Sequence, residues 1–239
     1  MDAFDLSSAP AEFRAIKPIC DMLVIFTGAT WVINYIVTVR QIFRDRVCVM
    51  PLVCLCCNVA WEITVVLIHR PPYFLLDVFF AMWLSVNMVI VYGSIKVSME
   101  KQLPSPLMHK HLPLIIALTI LGFILGYHAL AKMLGPTKAV WWGGMLSQVV
   151  MSADCLGQIL HRGSTHGASW AMWTSRVLGS YSAIAGVWVK SWFWPQQWDW
   201  FDNALTRWIT GISLIMDIMY GCIFWFIWQT EKGAKVQKA

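Results

Sequence analysis

Seven apolar runs, each about 20 residues long, take up most of the chain: about 19–39, 47–68, 73–95, 112–131, 139–160, 169–189 and 206–229. About 20 such residues are what an α-helix needs to cross the hydrocarbon core of a bilayer. In lipid, each backbone N–H and C=O has to be satisfied within its own segment, so runs of this length read as helices. The expected fold is an all-α membrane protein, a single bundle of seven transmembrane helices that uses residues 1–239 as one domain. Composition agrees: 58% of residues are hydrophobic and 13% charged, where a soluble domain is about 25% charged. The net charge of +5 is scattered over loop ends, where it sets orientation and offers no face for nucleic acid.

Between the runs lie a mixed arm (1–18), the arginine-bearing loop 40–46, the turn His69-Arg70-Pro71-Pro72, a polar loop 96–111, Gly135-Pro136, the loop 161–167 and the connector SWFWPQQWDWF at 191–201. Proline and glycine end helices at such points. The tryptophan-rich connector is expected at the headgroup level, with its rings apolar and its N–H groups wet. Seven spans place the termini on opposite sides. The loops after spans one, three and five, with the tail, hold ten Lys and Arg residues against seven on the other side, which favours a cytoplasmic C-terminus. The first residues lack the basic start of a cleavable signal. The seven cysteines are odd in number and lie mostly in apolar runs, so they read as packed thiols and not as a disulfide frame or metal site. His109, His111, His161 and His166 fall in loops, and solvation is their default; no metal is expected.

Two acids interrupt the apolar runs at depth. Asp217 sits mid-run in TRWITGISLIMDIMYGCIFWFIWQT, with Thr210, Ser213, Tyr220 and Phe224 at helical steps from it. Glu62 shares a face with Asn58, four residues back, beside Trp61. In the first span Thr27, Thr30, Asn34 and Thr38 form another polar stripe. Counting about 1.5 Å per residue, Glu62 lies about 10 Å and Asp217 about 16 Å from the same end of the bundle. The two are therefore expected to face one cavity as a coupled pair. An intramembrane acid costs about 2.5–3.5 kcal/mol on insertion scales, so it marks either a structural hydrogen bond between helices or a functional site. Asp154 and Arg176, each about six residues inside one face of the membrane on successive spans, are expected to form a helix–helix ion pair extended by Gln148 and Gln158. Trp61, Trp208 and Trp225 lie nearer the acids than the other tryptophans, and an aromatic face attracts a desolvated cation.

Some chemistries lack their residues. The seventh run has no interior lysine for a retinal Schiff base. No Gly-rich phosphate loop is present, and no DDxxD run to hold magnesium against a diphosphate. Pro195-Gln196 lies in a connector, which does not suit a sugar-transporter PQ loop.

Four stretches carry a resemblance: CNVAWEI (57–63), RGSTHGASWAMWTSRVLGS (162–180), FWP (193–195) and MDIMYG (216–221). The chain resembles the small integral-membrane terpene cyclases of fungal meroterpenoid and indole-diterpene pathways, and the opening MDAFDLSSAP is most similar to their paxilline-type branch. The resemblance implies seven helices, residence in the endoplasmic reticulum and proton-initiated polyene cyclisation without metal or other cofactor. It implies a functional pair made of the acid of the WE motif and the acid of the last helix, which are Glu62 and Asp217 here. The implied substrate is a prenyl chain with a terminal epoxide on an indole or other aromatic head, made by an upstream prenyltransferase and epoxidase. A neutral carboxyl of the pair is expected to protonate the epoxide, with Asp217 as donor and Glu62 as its partner. Asn58, Trp61, Asn34, Ser213, Tyr220 and Trp208 are the expected substrate contacts. The rival readings are a small seven-helix proton-coupled transporter or lipid-binding membrane protein using the same acids, and a scaffold in which the acids are dispensable.

Overall fold

The structure, a computed structural model, describes residues 6–70, 74–100 and 106–236, and no strand occurs among them. Six long helices follow in order: α1 Ala11–Asp45, α2 Leu52–Ile63, α3 Phe74–Glu100, α4 Pro106–Leu134, α5 Pro136–Arg162 and α6 Trp170–Phe193. A short α7, Pro195–Trp198, and a 3₁₀ turn, Asp199–Phe201, lead to α8, Ala204–Val236. Among the described residues, four stretches are long and apolar enough to cross a membrane: Ala11–Asp45, Phe74–Glu100, Lys110–Leu134 and Ala204–Ala234. Along their middles they expose hydrocarbon, such as Leu118 and Leu125 on α4 and Ile215 and Phe226 on α8, which suits contact with acyl chains.

Local chemistry sets the helix ends. Arg46 takes a left-handed conformation (φ 55°) and its N–H closes α1 on the Ile42 carbonyl. Gly135 (φ 83°) separates α4 from α5, and Pro136 starts α5 at a position where no N–H is needed. Ser169 caps α6 by accepting from the Met172 N–H. Asn203 Oδ1 accepts from the Leu205 and Thr206 N–H groups at the start of α8.

Helix α1 packs mainly on α6 and then α3, α5 packs on α8, and α2 lies among α3, α4 and α5. Every residue of α2 from Cys54 to Ala60 is buried. A helix that is apolar all round belongs inside a bundle, and its thiols are packed and free. Two residues after Glu62, α2 widens into a π-helical turn, Thr64–Ile68, closed by the His69 N–H on the Thr64 carbonyl at 2.8 Å. Such turns recur at functional sites.

The structure corrects several sequence expectations. The arm 1–18 is not all arm: α1 starts at Ala11 and carries Pro18 inside it. Residues 40–45 and 96–100 continue α1 and α3, and α4 begins at Pro106, because solvated charged turns prolong a helix past the lipid boundary. Pro71 and Pro72 of the expected turn, Tyr73 at the head of the third run and Pro104 of the polar loop lie outside the described residues. The connector is only partly exposed: Trp192 is at the surface, while other rings turn inward. Trp194, Trp198 and Phe201 are buried against Phe13, Cys20, Met145 and Val187. Lys190 reaches over the Trp198 ring at 4.7 Å, so this part of the connector folds inward and joins the core.

Candidate active site

A cavity opens among α1, α2, α3, α5 and α6, with Phe201 of the connector in its wall. Eight aromatic residues line it: Trp31, Tyr35, Trp61, Phe79, Phe80, Trp83, Trp141 and Phe201. The rings form runs: Trp31 on Tyr35 at 5.5 Å, and Trp61 on Phe80 at 4.8 Å with Phe80 on Trp83 at 4.9 Å. Trp61 is fixed by donating to the Val140 carbonyl at 3.0 Å and by Gly143 and Gly144 of α5, which leave room for its ring. An aromatic face stabilises a desolvated cation by about 2 kcal/mol. The remaining wall is aliphatic apart from Thr27, Asn58, Ser147, Gln148 and Ser180.

Both deep acids stand just behind this wall. Glu62 is 0% exposed. Its Oε1 accepts from the Tyr35 hydroxyl at 2.8 Å, Asn58 Nδ2 at 3.1 Å and Asn87 Nδ2 at 2.9 Å; its Oε2 accepts from Asn87 Nδ2 at 2.8 Å. Asn58 also donates to the Tyr35 oxygen at 2.7 Å. All of these partners are neutral. Tyr35 and Asn58 belong to the cavity wall.

Asp217 is 1% exposed and has a different shell. Arg176 Nη2 donates to its Oδ1 at 2.7 Å, while Gln148 Nε2 at 3.0 Å and the Tyr181 hydroxyl at 3.3 Å donate to Oδ2. Trp173 Nε1 holds the Asp217 backbone carbonyl at 2.9 Å. Gln148, which Ser180 fixes at 2.7 Å, joins this shell to the cavity. Glu62 and Asp217 share no hydrogen bond; each has its own network behind the wall.

The expected ion pair between Asp154 and Arg176 is absent: Arg176 pairs with Asp217. Asp154 Oδ2 accepts from the Cys54 N–H at 3.0 Å instead. It thereby caps the first turn of α2, where free N–H groups and the helix dipole favour an anion. Gln148 serves Asp217, not Asp154.

The expected substrate contacts divide. Asn58 and Trp61 line the cavity. Asn34 donates to the Met172 carbonyl and lines a smaller, more polar crevice beyond the Asp217 shell, together with Tyr220 and Arg176. Tyr220 lies under the Arg176 guanidinium at 5.2 Å. Ser213 is buried and bonds the Ile209 carbonyl of its own helix. Trp208 and Trp225 are 59% and 46% exposed and stand outside the cavity wall. Sequence reasoning missed Tyr35, Asn87 and Tyr181 as partners of the acids. Asn87 had a usable signal, an amide in the middle of an apolar run. Tyr35 was hidden because a tyrosine in such a run resembles an ordinary packing residue.

Comparison with known proteins places this architecture. Residues 4–230 match the family of Pyr4-like transmembrane terpene cyclases. Terpene cyclase spyD of Aspergillus fumigatus is 63% identical over 239 residues, covering the whole of both chains. Terpene cyclase esdpB of Penicillium shearii is 41% identical over 100% of this chain and 99% of its own, and terpene cyclase penB of Penicillium crustosum 37% over 98% and 97%. No solved structure matches. An apolar, aromatic-walled cavity with two buried acids behind it, in a chain that matches along nearly its whole length, makes this integral membrane protein a member of the Pyr4-like transmembrane terpene cyclases.

Proposed function

We propose that the enzyme opens a terminal epoxide on a prenyl chain attached to an indole or other aromatic head, and that Glu62 supplies the initiating proton. One observation carries this assignment: Glu62 is buried among neutral donors without a cation, whereas Asp217 is paired with Arg176. A buried carboxyl with no counter-charge is cheaper neutral than ionised, and a neutral carboxyl is what general-acid catalysis needs. Asp217 is instead engaged in a buried ion pair with Arg176. The sequence-based expectation assigned the donor role to Asp217, so the geometry supports the opposite division. Asp217, held by Arg176, then orients Gln148 at the wall, so that a fixed amide dipole faces the cavity where positive charge travels during ring closure. The aromatic wall shelters the cation from water. Asn58 and Trp61 are retained as substrate contacts, and Asn34, Ser213, Tyr220 and Trp208 are not.

The same reading takes α1 to α6 and α8 as seven spans in the endoplasmic reticulum membrane with a cytoplasmic C-terminus. It places an epoxidase and a prenyltransferase upstream, since the substrate needs both groups installed. Microsomes holding Glu62→Gln or Asp217→Asn, fed epoxy-prenyl indoles and epoxy-farnesyl aromatics, test it. Glu62→Gln is expected to insert normally and lose about 10²–10⁴-fold in cyclised product. Asp217→Asn is expected to lose about 10²-fold. Parent-level turnover by Glu62→Gln, read by mass spectrometry, removes the assignment.

A further inference from the structure

Glu62 does not itself line the cavity; Tyr35 and Asn58 stand between them. The proton therefore has to cross one residue. Of the wall residues bonded to Glu62, Asn58 offers amide N–H groups, which are not acids at working pH, and Tyr35 offers a hydroxyl. We propose that Tyr35 is the catalytic group that touches the epoxide oxygen and hands it the proton, with Glu62 recharging Tyr35 from behind. This rests on the reading of Glu62 as the source of the proton.

The geometry suits a relay. The Tyr35 oxygen is 2.8 Å from Glu62 Oε1 and 2.7 Å from Asn58 Nδ2. Against a carboxylate the Tyr35 hydroxyl donates to Glu62. When Oε1 carries a proton, that proton is donated to the Tyr35 oxygen, which also accepts from Asn58. The Tyr35 hydrogen is then free to rotate toward the cavity. The phenol is held by Asn58 on one side and by the Trp31 ring on the other, so its oxygen is fixed before substrate enters. In the transfer, the Tyr35 O–H bond breaks as the new O–H bond forms on the epoxide oxygen. The C–O bond to the more substituted carbon breaks as the alkene attacks, and the Glu62 proton passes to the Tyr35 oxygen. The enzyme keeps a neutral tyrosine and a Glu62 carboxylate. The terminal cation loses one proton, so the net reaction is an isomerisation and Glu62 is recharged by one proton per turnover.

The test uses the full-length protein in microsomes with an epoxy-prenyl aromatic substrate. Tyr35→Phe is expected to lower turnover at least about 10²-fold. Tyr35 is also replaced with 3-fluorotyrosine and 3,5-difluorotyrosine by suppression of a stop codon, which keeps the ring and hydroxyl and changes chiefly the acidity. The rate is expected to shift stepwise with phenol acidity. If Tyr35→Phe does not accumulate in the membrane, the fluorotyrosine series alone decides. Rates that stay flat across the series, or Tyr35→Phe turnover within threefold of the parent, overturn the relay. A flat series with an inactive Glu62→Gln leaves Glu62 as donor and removes only Tyr35. An active Glu62→Gln removes both.

Discussion

The Arg176 guanidinium is held by one hydrogen bond to Asp217 and by the face of Tyr220, while its buried Nε has no partner. Its charge is thus balanced by a single carboxylate. Removing one member of a buried pair costs about 3–5 kcal/mol, because the other is left charged and dry. Arg176→Met should destabilise the detergent-purified protein by that amount, and adding Asp217→Asn should return a large part of it. Thermal unfolding of the two single variants and the double variant measures the coupling; strictly additive losses would contradict the pair. At this scale the sequence was half legible. A charge inside an apolar run is conspicuous, so Glu62, Asp217 and Arg176 stood out. Which charge meets which was not readable, because Asp154 lies on α5, next to α6 in sequence, and Asp217 on α8, which packs on α6, and one-dimensional depth does not choose between them. Tyr35 and Asn87 complete the Glu62 shell from α1 and α3, a convergence that only the packed bundle shows.

Helices α5 and α6 approach their neighbours at glycine. A methyl group on Gly143 would come within 2.7 Å of Trp61, and one on Gly179 within 2.7 Å of the Thr30 hydroxyl. Small residues let helices in lipid approach closely, where packing and not hydrophobic drive holds them together. Gly143→Ala should displace Trp61 from the cavity wall, cost about 1–3 kcal/mol and lower turnover. A methyl group on Gly211 of α8 would meet nothing within 4 Å, so Gly211→Ala should be neutral or stabilise by up to about 1 kcal/mol. Melting temperatures of the two variants side by side check the contrast; equal losses would deny Gly143 its packing role. The helices themselves were largely legible from run length. Their ends were not, since polar turns such as 96–100 continue a helix into water with no apolar signal. The π-helical turn after Glu62 had no sequence mark at all.

Across the whole molecule, the loop between α5 and α6 ties distant ends together. Asp45 at the end of α1 accepts from the Gly167 N–H at 2.8 Å, Glu231 on α8 accepts from the Thr165 N–H at 2.9 Å, and Arg162 donates to the Cys48 carbonyl at 3.1 Å. The RGSTHG stretch thus joins α1, α5 and α8 at one face of the bundle. With seven spans, an epitope fused after residue 239 should be open to protease in sealed microsomes, while one fused before residue 1 should be protected. The reverse pattern would invert the proposed orientation. The Arg176–Asp217 ion pair also has a history in time. Arg176 precedes Asp217 by 41 residues, so on the ribosome its helix is finished while its counter-ion is still unmade. A lone guanidinium is poorly tolerated in hydrocarbon. On the proposed seven-span reading, the sixth helix waits in the shelter of the insertion machinery, or against helices already in place, until the last one is threaded, and the chain settles into lipid as a late, joint event.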